Sequence, residues 1–375
     1  MHILVIPSWY PTPEDPISGC FFREQAQALA DFGHRVSVFA YFSDAPKGVY
    51  TETSVSGNLT EFRIHAKPLR FHLTFFRIMK EMLRLLRTEL SGTKPDVIHV
   101  HSFRAIRYAR AIRALYGIPI VVTEHATWFE RKLLSQKDLA AISRDYNAAD
   151  ALIAVSPGLR EHILLYCTNK DVLVVPNMVD AQFLGGALHR AEGETFGFVC
   201  VGALTKKKGI DLLLDAFAAV HAKLPHTRLT VCGGGEEESA LRAQTEALGV
   251  SGAVDFKGQV SRVECAACLR GNQAFVLPSR AETFGVVYVE AMACGLPVIM
   301  TKLGAWTILA REETGLAVDV ENVEQLTAAM LYMAEHSERY DAGIIRAFCA
   351  ENFSAPSVCR RLTEIYTDVT KRKKE

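Results

Sequence analysis

Two carboxylates eight positions apart, Glu282 and Glu290, are the residues of this sequence whose types and spacing best suit chemistry. They lie in the stretch PSRAETFGVVYVEAMACGLPVIMT, residues 278–301. The short apolar run before it predicts a buried strand, the polar residues 279–283 predict a loop, and the apolar-periodic residues after them predict a helix. An ionised carboxylate only accepts hydrogen bonds, so two of them on one such unit can hold the hydroxyls of a single sugar-like ligand.

The start of the predicted helix offers a second kind of ligand contact. We expect the helix to begin at Phe284-Gly285 and to stop at Gly295, with the next strand at Val298–Met300. A strand, a helix and a strand in this order form a parallel βαβ unit, whose ligands bind beyond the carboxyl ends of the strands. The backbone amides of Phe284, Gly285 and Val286 would then favour an anion such as a phosphate.

A simpler interpretation of the two glutamates is that Glu282 caps the helix and Glu290 is solvated. Glu290, however, stands among apolar residues in VVYVEAMACG. A carboxylate buried there without a partner would be costly, so the surroundings favour a functional role.

Two further strand-to-helix turns carry features of a phosphate site. Gly19 follows a proline-rich loop after the predicted strand His2–Pro7 and precedes a helix. A glycine there lets the backbone approach a ligand, and the helix dipole again favours phosphate. In the second half, three consecutive lysines, 206–208, stand at the mouth of a helix. They can neutralise a diphosphate, although three exposed lysines can also be only a solvated loop.

Length and composition set the limits for the whole chain. Its 375 residues suit two domains of about 150 to 200 residues each. Apolar segments alternate as strands and helices, which predicts doubly wound parallel sheets. Lys+Arg and Asp+Glu are balanced at 42 each, so overall charge does not recommend nucleic acid as a partner.

The cellular location is predicted from features that the sequence lacks. Nine cysteines show no regular spacing, and the N-terminus runs directly into a strand without a charged leader. No uncharged apolar stretch is long enough to span a bilayer. We therefore expect a cytoplasmic protein, with a place at the inner face of the membrane as an alternative.

The segment Leu69–Leu90 predicts a basic amphipathic helix. On a helical wheel one third of the circumference carries cations, opposite an apolar face. The cations are Arg70, Arg77, Lys80, Arg84 and Arg87, and the apolar residues are Phe71, Phe75, Met79, Met82 and Leu86. Two interpretations stay open: a helix that covers the sheet with a solvated face, or contact with anionic lipid or a phosphorylated acceptor.

The 24-residue stretch around Glu282 and Glu290 resembles the E-x7-E element of retaining glycosyltransferases of family 4. The resemblance covers nearly the full length and is strongest from about Phe196 to Leu316. It implies a GT-B fold: α/β, with two Rossmann-like doubly wound parallel-sheet domains facing across a cleft. The sequence PNMVD resembles the family's hinge, so we predict an acceptor-side domain at 1–179, joined by a C-terminal helix at 355–371, and a nucleotide-sugar domain at 180–354.

The resemblance assigns roles to individual residues. It implies that Gly19 lies against the donor diphosphate, Lys208 holds the donor phosphates, and His125, at the end of the strand IPIVVTEH, contacts the donor sugar. Glu282 would hold sugar hydroxyls and Glu290 the ribose. The glycine and edge loops at Gly233, Lys257 and Val260 would approach the base. The family's usual phosphate-binding arginine is replaced here by Ala203, and Glu124 and Arg104 are candidates for the acceptor side.

These assignments predict a retaining glycosyltransferase that moves a sugar from a nucleoside diphosphate sugar, such as a UDP- or GDP-sugar, to an acceptor hydroxyl. The acceptor would be a glycan, a lipid-linked glycan or a small molecule. We expect no metal requirement, because no Asp-x-Asp motif occupies a strand-end loop and Lys208 can supply the counter-charge. The alternatives are a sugar-nucleotide epimerase or phosphorylase of the same fold, and a non-catalytic nucleotide-sugar-binding partner, which the Ala203 departure favours.

Overall fold

The computed structural model describes residues 1–15, 18–69, 73–126, 128, 134–167, 171–188 and 195–372. The chain forms two compact units. Unit 1 comprises Met1–Val155, Leu159–Pro176 and Val358–Glu375, and unit 2 comprises Ser156–Gly158 and Asn177–Ser357.

Unit 1 is built on one eight-stranded sheet. Its strands are β1 (His2–Pro7), β2 (Arg35–Phe42), β3 (Val49–Ser56), β4 (Leu59–Ala66), β5 (Val97–His101), β6 (Ile120–Glu124), β7 (Ala151–Ala154) and β8 (Val172–Val174). The order is β3-β4-β2-β1-β5-β6-β7-β8, and all neighbours are parallel except β3, which runs antiparallel to β4. All six residues of β1 are buried, as expected for a central strand of a parallel sheet.

Unit 2 is built on a six-stranded parallel sheet. Its strands are β9 (Phe196–Val201), β10 (Thr227–Cys232), β11 (Val254–Gly258), β12 (Ala274–Leu277), β13 (Val298–Thr301) and β14 (Gly315–Val318). The order is β11-β10-β9-β12-β13-β14. The direction of winding reverses between β9 and β12, and a reversal of this kind is where doubly wound sheets bind ligands.

Helices connect the strands of both sheets. In chain order they are α1 (Cys20–Asp31), α2 (Leu73–Thr88), α3 (Ile106–Tyr116), α4 (Gln136–Asn147), α5 (Pro157–Leu164), α6 (Ala181–Leu184), α7 (Ile210–Lys223), α8 (Glu238–Ala247), α9 (Arg262–Arg270), α10 (Val286–Ala293), α11 (Trp306–Leu309), α12 (Val323–Glu335), α13 (Ala342–Phe353) and α14 (Ala355–Arg372). Short 3-10 turns occupy Phe103–Ala105, Lys206–Lys208 and Ser337–Arg339. None of the helices in the described part of the chain is long and apolar enough to cross a membrane.

The last helix, α14, belongs to unit 1 from Val358 onward. The Tyr366 hydroxyl lies 2.7 Å from Nδ1 of the buried His99 in β5, and His34 Nε2 lies 2.8 Å from the Thr363 hydroxyl. Burial lowers the pKa of His99 to about 3, so the ring is neutral and can accept the hydroxyl hydrogen bond. The end of the chain therefore completes the core of unit 1.

The predicted fold class, two parallel-sheet α/β domains, is confirmed. The hairpin of β3 and β4 was not predicted. The helix expected at Phe284-Gly285 begins at Val286, and the strand expected at Val298–Met300 extends to Thr301. Arg70 and Phe71 of the predicted basic helix lie outside the described residues, and the observed helix there is α2.

Candidate functional site

The loops after β9 and β12 meet at the carboxyl edge of the unit 2 sheet. The Arg280 backbone N–H donates to the Lys207 carbonyl at 2.7 Å, and the Arg280 guanidinium donates to the Lys206 carbonyl at 2.7 Å. The same guanidinium binds the Asp211 carboxylate with two hydrogen bonds of 2.7 and 2.9 Å, and it also contacts Glu321. Arg280 thus fastens the loop that carries Glu282 to the turn that carries Lys208.

Lys208 and Glu282 form a direct ion pair at this edge. Lys208 Nζ lies 2.7 Å from a Glu282 carboxylate oxygen, and both side chains are mostly buried. Burial by itself raises the pKa of Glu282, but Lys208, Lys207 and the Thr283 backbone N–H outweigh it. The pKa of Glu282 therefore lies below its ordinary value, and the carboxylate is ionised at neutral pH.

The N-terminus of α10 lies directly after this pair. Gly285 is the N-cap residue with φ of 81°. Within the described chain, the backbone N–H groups of Phe284, Gly285 and Val286 donate to no protein acceptor. Amides at a helix N-terminus beside a lysine can bind an anion, and the anion site expected there stays a prediction.

Glu290 lies in the second turn of α10 and is 7% exposed. Its carboxylate accepts a hydrogen bond of 3.3 Å from the Arg262 guanidinium, which also contacts the Asp180 carboxylate at 3.3 Å. The solvated-surface interpretation of Glu290 is therefore wrong. A carboxylate held at a fixed place by arginine can still accept ligand hydroxyls, because each oxygen has more than one lone pair.

Of the three residues predicted to lie near the base, Gly233 follows the inner strand β10, and Lys257 and Val260 lie at the edge of the sheet. Gly233, at the end of β10, has φ of 147°, and a Cβ there would lie 1.9 Å from the Gly202 carbonyl oxygen, so only glycine fits. Lys257, on the edge strand β11, is exposed and pairs with Asp255 at 2.6 Å. Val260 is half-buried in the loop that follows. The structure thus makes Gly233 part of the central loops and leaves Lys257 and Val260 at the edge.

In unit 1, Gly19 precedes α1 with φ of 76°. A Cβ at this position would lie 2.8 Å from the Trp9 ring and 3.1 Å from the Trp9 carbonyl oxygen. The loop is therefore closed onto the end of β1, and a larger residue at Gly19 would displace it.

His125 follows β6 and is buried among aromatic rings. Its Nε2 lies 3.1 Å from Nδ1 of His101, and its ring centroid lies 4.9 Å from that of Phe22. Burial holds the pKa of His101 well below its ordinary value, so the two imidazoles share a hydrogen bond in which His101 is neutral. This contact fixes the orientation of the His125 ring.

Glu124 has a different role from the one expected of it. Its carboxylate is fully buried and accepts hydrogen bonds from the Ser102 hydroxyl at 2.6 Å, the Phe103 N–H at 3.1 Å, and the backbone N–H groups of His125 and Ala126 at 2.7 and 2.6 Å. The Tyr146 hydroxyl also donates to it. The acceptor-side assignment of Glu124 is therefore wrong, because its oxygens are used within unit 1 to hold the loops around His125.

Sequence reasoning missed two positioning arginines, Arg280 and Arg262. Arg280 stands two residues before Glu282, so the motif offered a signal for it. Arg262 gave no signal, since it contacts Glu290 only because α9 and α10 pack together. In the described residues, no group of three or more His, Cys, Asp or Glu side chains could hold a metal ion.

Comparison with known proteins agrees with this architecture. Residues 188–347 match the profile of glycosyl transferases group 1, and residues 21–183 match that of glycosyltransferase family 4. The chain is 30% identical over 355 residues to the glycogen synthase of Mycobacterium tuberculosis, covering 88% of this chain and 85% of that protein. It is also 30% identical over 347 residues to the phosphatidyl-myo-inositol mannosyltransferase of Mycolicibacterium smegmatis, covering 86% of each. The crystal structure of Anabaena HepE in complex with UDP has a TM-score of 0.77 at 18% identity, covering 98% of this chain and 100% of that one.

The two parallel-sheet units and these similarities define the class, a glycosyltransferase with the GT-B fold. Within that class the chain belongs to glycosyltransferase family 4, the glycosyl transferases group 1. The resemblance carried by Glu282 and Glu290 is therefore confirmed at the level of the family.

Proposed function

We propose that this protein transfers a sugar from a nucleoside diphosphate sugar to an acceptor hydroxyl with retention of configuration. The observation that carries the proposal is the Lys208–Glu282 ion pair beside the backbone N–H groups of Phe284, Gly285 and Val286, which donate to no acceptor among the described residues. The site combines a cation and aligned amides for a diphosphate with an ionised carboxylate for sugar hydroxyls.

In the proposed reaction the bond between the sugar and the diphosphate breaks while a bond to the acceptor oxygen forms on the same face. Negative charge builds on the departing diphosphate, where Lys208 and the amides before and within α10 would stabilise it. The leaving phosphate oxygen takes the proton of the acceptor hydroxyl. Glu282 would orient the sugar and Glu290 would accept the ribose hydroxyls. The family resemblance also assigns the Gly19 loop to the diphosphate and His125 to the donor sugar.

The donor is proposed as a UDP- or GDP-sugar, and UDP-sugars are the first to test because the similar HepE structure contains UDP. The acceptor is proposed as a glycan, a lipid-linked glycan or a small molecule. Among the relatives, one is named for glycogen synthesis and another for mannosyl transfer to a phosphatidylinositol. Neither name specifies the acceptor of this chain.

A second proposal concerns the membrane. The outer side of α2 carries the exposed apolar residues Leu73 and Phe76, 54% and 62% exposed, together with exposed cations. Its opposite side is buried through Ile78, Met79, Met82, Leu85 and Leu86. Large apolar side chains next to cations suit the interface of an anionic bilayer, so α2 is proposed as a peripheral membrane contact.

A non-catalytic binding role is the remaining alternative, and Ala203 is the observation that favours it. Ala203 is exposed and supplies no charge, and Arg280 is engaged by Asp211 and Glu321. Lys208 would therefore be the main cation on the diphosphate. A binding protein would retain nucleotide affinity without producing a transferred sugar.

The test is the variant Lys208→Ala, assayed with a panel of nucleotide sugars and acceptors. If Lys208 carries the diphosphate, turnover should fall by more than about a hundredfold, which corresponds to about 2.7 kcal/mol. Lys206→Ala is the matched control, since Lys206 is exposed and pairs with Glu237 at 2.7 Å. A Lys208→Ala enzyme within tenfold of wild type would contradict the proposed role.

A further inference from the structure

Four arginines recur at every third position along one segment of unit 1: Arg104, Arg107, Arg110 and Arg113. The two farther along α3 have structural partners. Arg110 is ion-paired with Asp145, and Arg113 is ion-paired with Asp150 at 3.0 Å. These two cations are already neutralised within unit 1.

The two arginines at the start of the segment differ from them. Arg104 and Arg107 are exposed, and in the described part of the chain neither has a carboxylate partner. The Arg104 guanidinium instead lies 4.2 Å from the centre of the Trp128 ring. The Arg107 guanidinium lies 5.0 Å from the centres of the Phe75 and Tyr108 rings. Aromatic faces hold both groups in place without neutralising their charge. The Arg107 guanidinium also donates one hydrogen bond of 3.3 Å to the Tyr108 hydroxyl.

Their place in the fold is the edge where ligands of a parallel sheet bind. Arg104 and Arg107 follow β5, and the loops with Gly19 and His125 follow β1 and β6. The strands β1, β5 and β6 are parallel neighbours, so their carboxyl ends lie at one edge of the sheet. Tyr41, near the end of β2, packs against Tyr108 at this edge, with the two ring centres 4.7 Å apart.

We propose that Arg104 and Arg107 bind an anionic group, specifically a phosphate, on the sugar acceptor. Two guanidinium groups present several N–H donors in the fork geometry that matches phosphate oxygens. The half-buried rings of Tyr41, Phe75 and Trp128 supply flat apolar surface for the uncharged part of the same molecule. The inference rests on the proposed function in one respect only, the identification of the bound molecule as the acceptor.

A binding experiment with inorganic phosphate tests the site without any nucleotide sugar. The full-length chain is titrated with phosphate while tryptophan fluorescence is recorded, because Trp128 stacks on Arg104 and should report the occupied site. The Trp128→Phe variant establishes which part of the signal comes from this residue. The Lys208→Ala background removes the main cation of the proposed donor site, and we expect the Trp128 signal to persist there.

The arginine variants decide the assignment. Arg104→Ala and Arg107→Ala should each weaken phosphate binding by about tenfold or more, as expected for a lost charged hydrogen bond. Arg110→Ala, one turn farther along and ion-paired with Asp145, should bind phosphate as the wild type does. Equal losses in all three variants, or no loss at Arg104 and Arg107, would overturn the proposal.

Two competitors identify the source of the phosphate. Glucose 1-phosphate should displace phosphate if the acceptor is a free phosphorylated sugar, and vesicles containing phosphatidic acid should do so if it is a lipid phosphate. Either result supports the anion site, whereas displacement by neither, or equally by glucose and phosphatidylcholine vesicles, counts against it. A wild-type protein that transfers no sugar from any nucleotide sugar of the panel but binds phosphate through Arg104 and Arg107 would refute the proposed transfer reaction and leave the anion site standing.

Discussion

At the scale of single residues, both proposed donor-site carboxylates already have a cationic partner. Glu282 is paired with Lys208, and Glu290 is held by Arg262. The sequence predicted that Glu282, Glu290 and Lys208 bind ligand, but not that Lys208 and Glu282 bind each other. Lys208 and Glu282 are far apart in sequence and meet only because β9 and β12 are adjacent strands, a fact that no local pattern contains.

The proposed hydrogen bonds from the ribose hydroxyls to Glu290 can be tested by substitution. Glu290→Ala should weaken binding of the donor nucleotide by about 1.5 to 3 kcal/mol, the value of a hydrogen bond to a charged group. Isothermal titration of the nucleotide measures the change, and circular dichroism checks the fold. Glu238→Ala is the control, since Glu238 is a helix carboxylate paired with Arg242 at 2.8 Å. Unchanged affinity in a folded Glu290→Ala protein would remove Glu290 from the site.

At the scale of elements, the loop with Gly19 depends on the hairpin that sequence patterning missed. Most of β3 is exposed, and four of its eight residues are Ser or Thr, so it lacks the apolar run that marked the other strands, although Gly57-Asn58 is a turn signal. Its partner β4 contributes Glu61, whose buried carboxylate accepts hydrogen bonds from Tyr10 and Arg23 on either side of the loop. Arg63 donates to the Pro11 carbonyl at 2.8 Å.

Glu61 makes the stability of unit 1 depend on pH. Burial raises the pKa of Glu61, but hydrogen bonds from Arg23, Tyr10 and Ser54 outweigh it, and the pKa lies below its ordinary value. The unfolded chain therefore binds this proton more readily than the folded one. The stabilisation is present above the unfolded pKa of about 4.3 and is lost as pH falls through the folded pKa.

The variant Glu61→Gln should lose stability at neutral pH, by about 1 to 3 kcal/mol for the unmade charged hydrogen bonds. The difference from wild type should shrink in acid, because protonation removes the same charge from the wild type. Thermal unfolding between pH 3.5 and 7 measures both effects, with Glu52→Gln, an exposed carboxylate of β3, as control. A difference that stays constant across this range would show that the charge of Glu61 is not the cause.

At the scale of the whole molecule, the two parallel sheets were the part of the fold that the sequence predicted well. Strand β1 was predicted to the residue and β13 to within one residue, because buried parallel strands are short apolar runs between turn residues. Contacts within the sites were predicted poorly. Glu124 illustrates the reason, since its oxygens are occupied by groups from three separate segments that only the folded unit brings together.

The proposed membrane contact of α2 can be tested by the binding of the whole protein to vesicles. Binding to anionic vesicles should be measurable by sedimentation at low salt, with about 1 kcal/mol for each basic residue near the surface, and it should weaken as salt screens these charges. Reversing Lys80, Arg84 and Arg87 to Glu should abolish it. Because Arg84 already pairs with Glu81 at 2.7 Å, Lys80 and Arg87 should contribute more than Arg84. If the protein does not bind anionic vesicles at low salt, the proposal is wrong and α2 only packs over the sheet.

The return of α14 to unit 1 has a consequence for synthesis on the ribosome. The His99 ring in β5 is made early, but its partner Tyr366 follows the whole of Asn177–Ser357. At a translation rate of roughly 5 to 20 residues per second, the nascent unit 1 would wait about 10 to 40 s for its last helix. During this interval the surface that Val358, Leu362 and Tyr366 later bury faces water. Unit 2 can therefore be complete before unit 1, although unit 1 begins first, and the open face of unit 1 is where a chaperone would be needed.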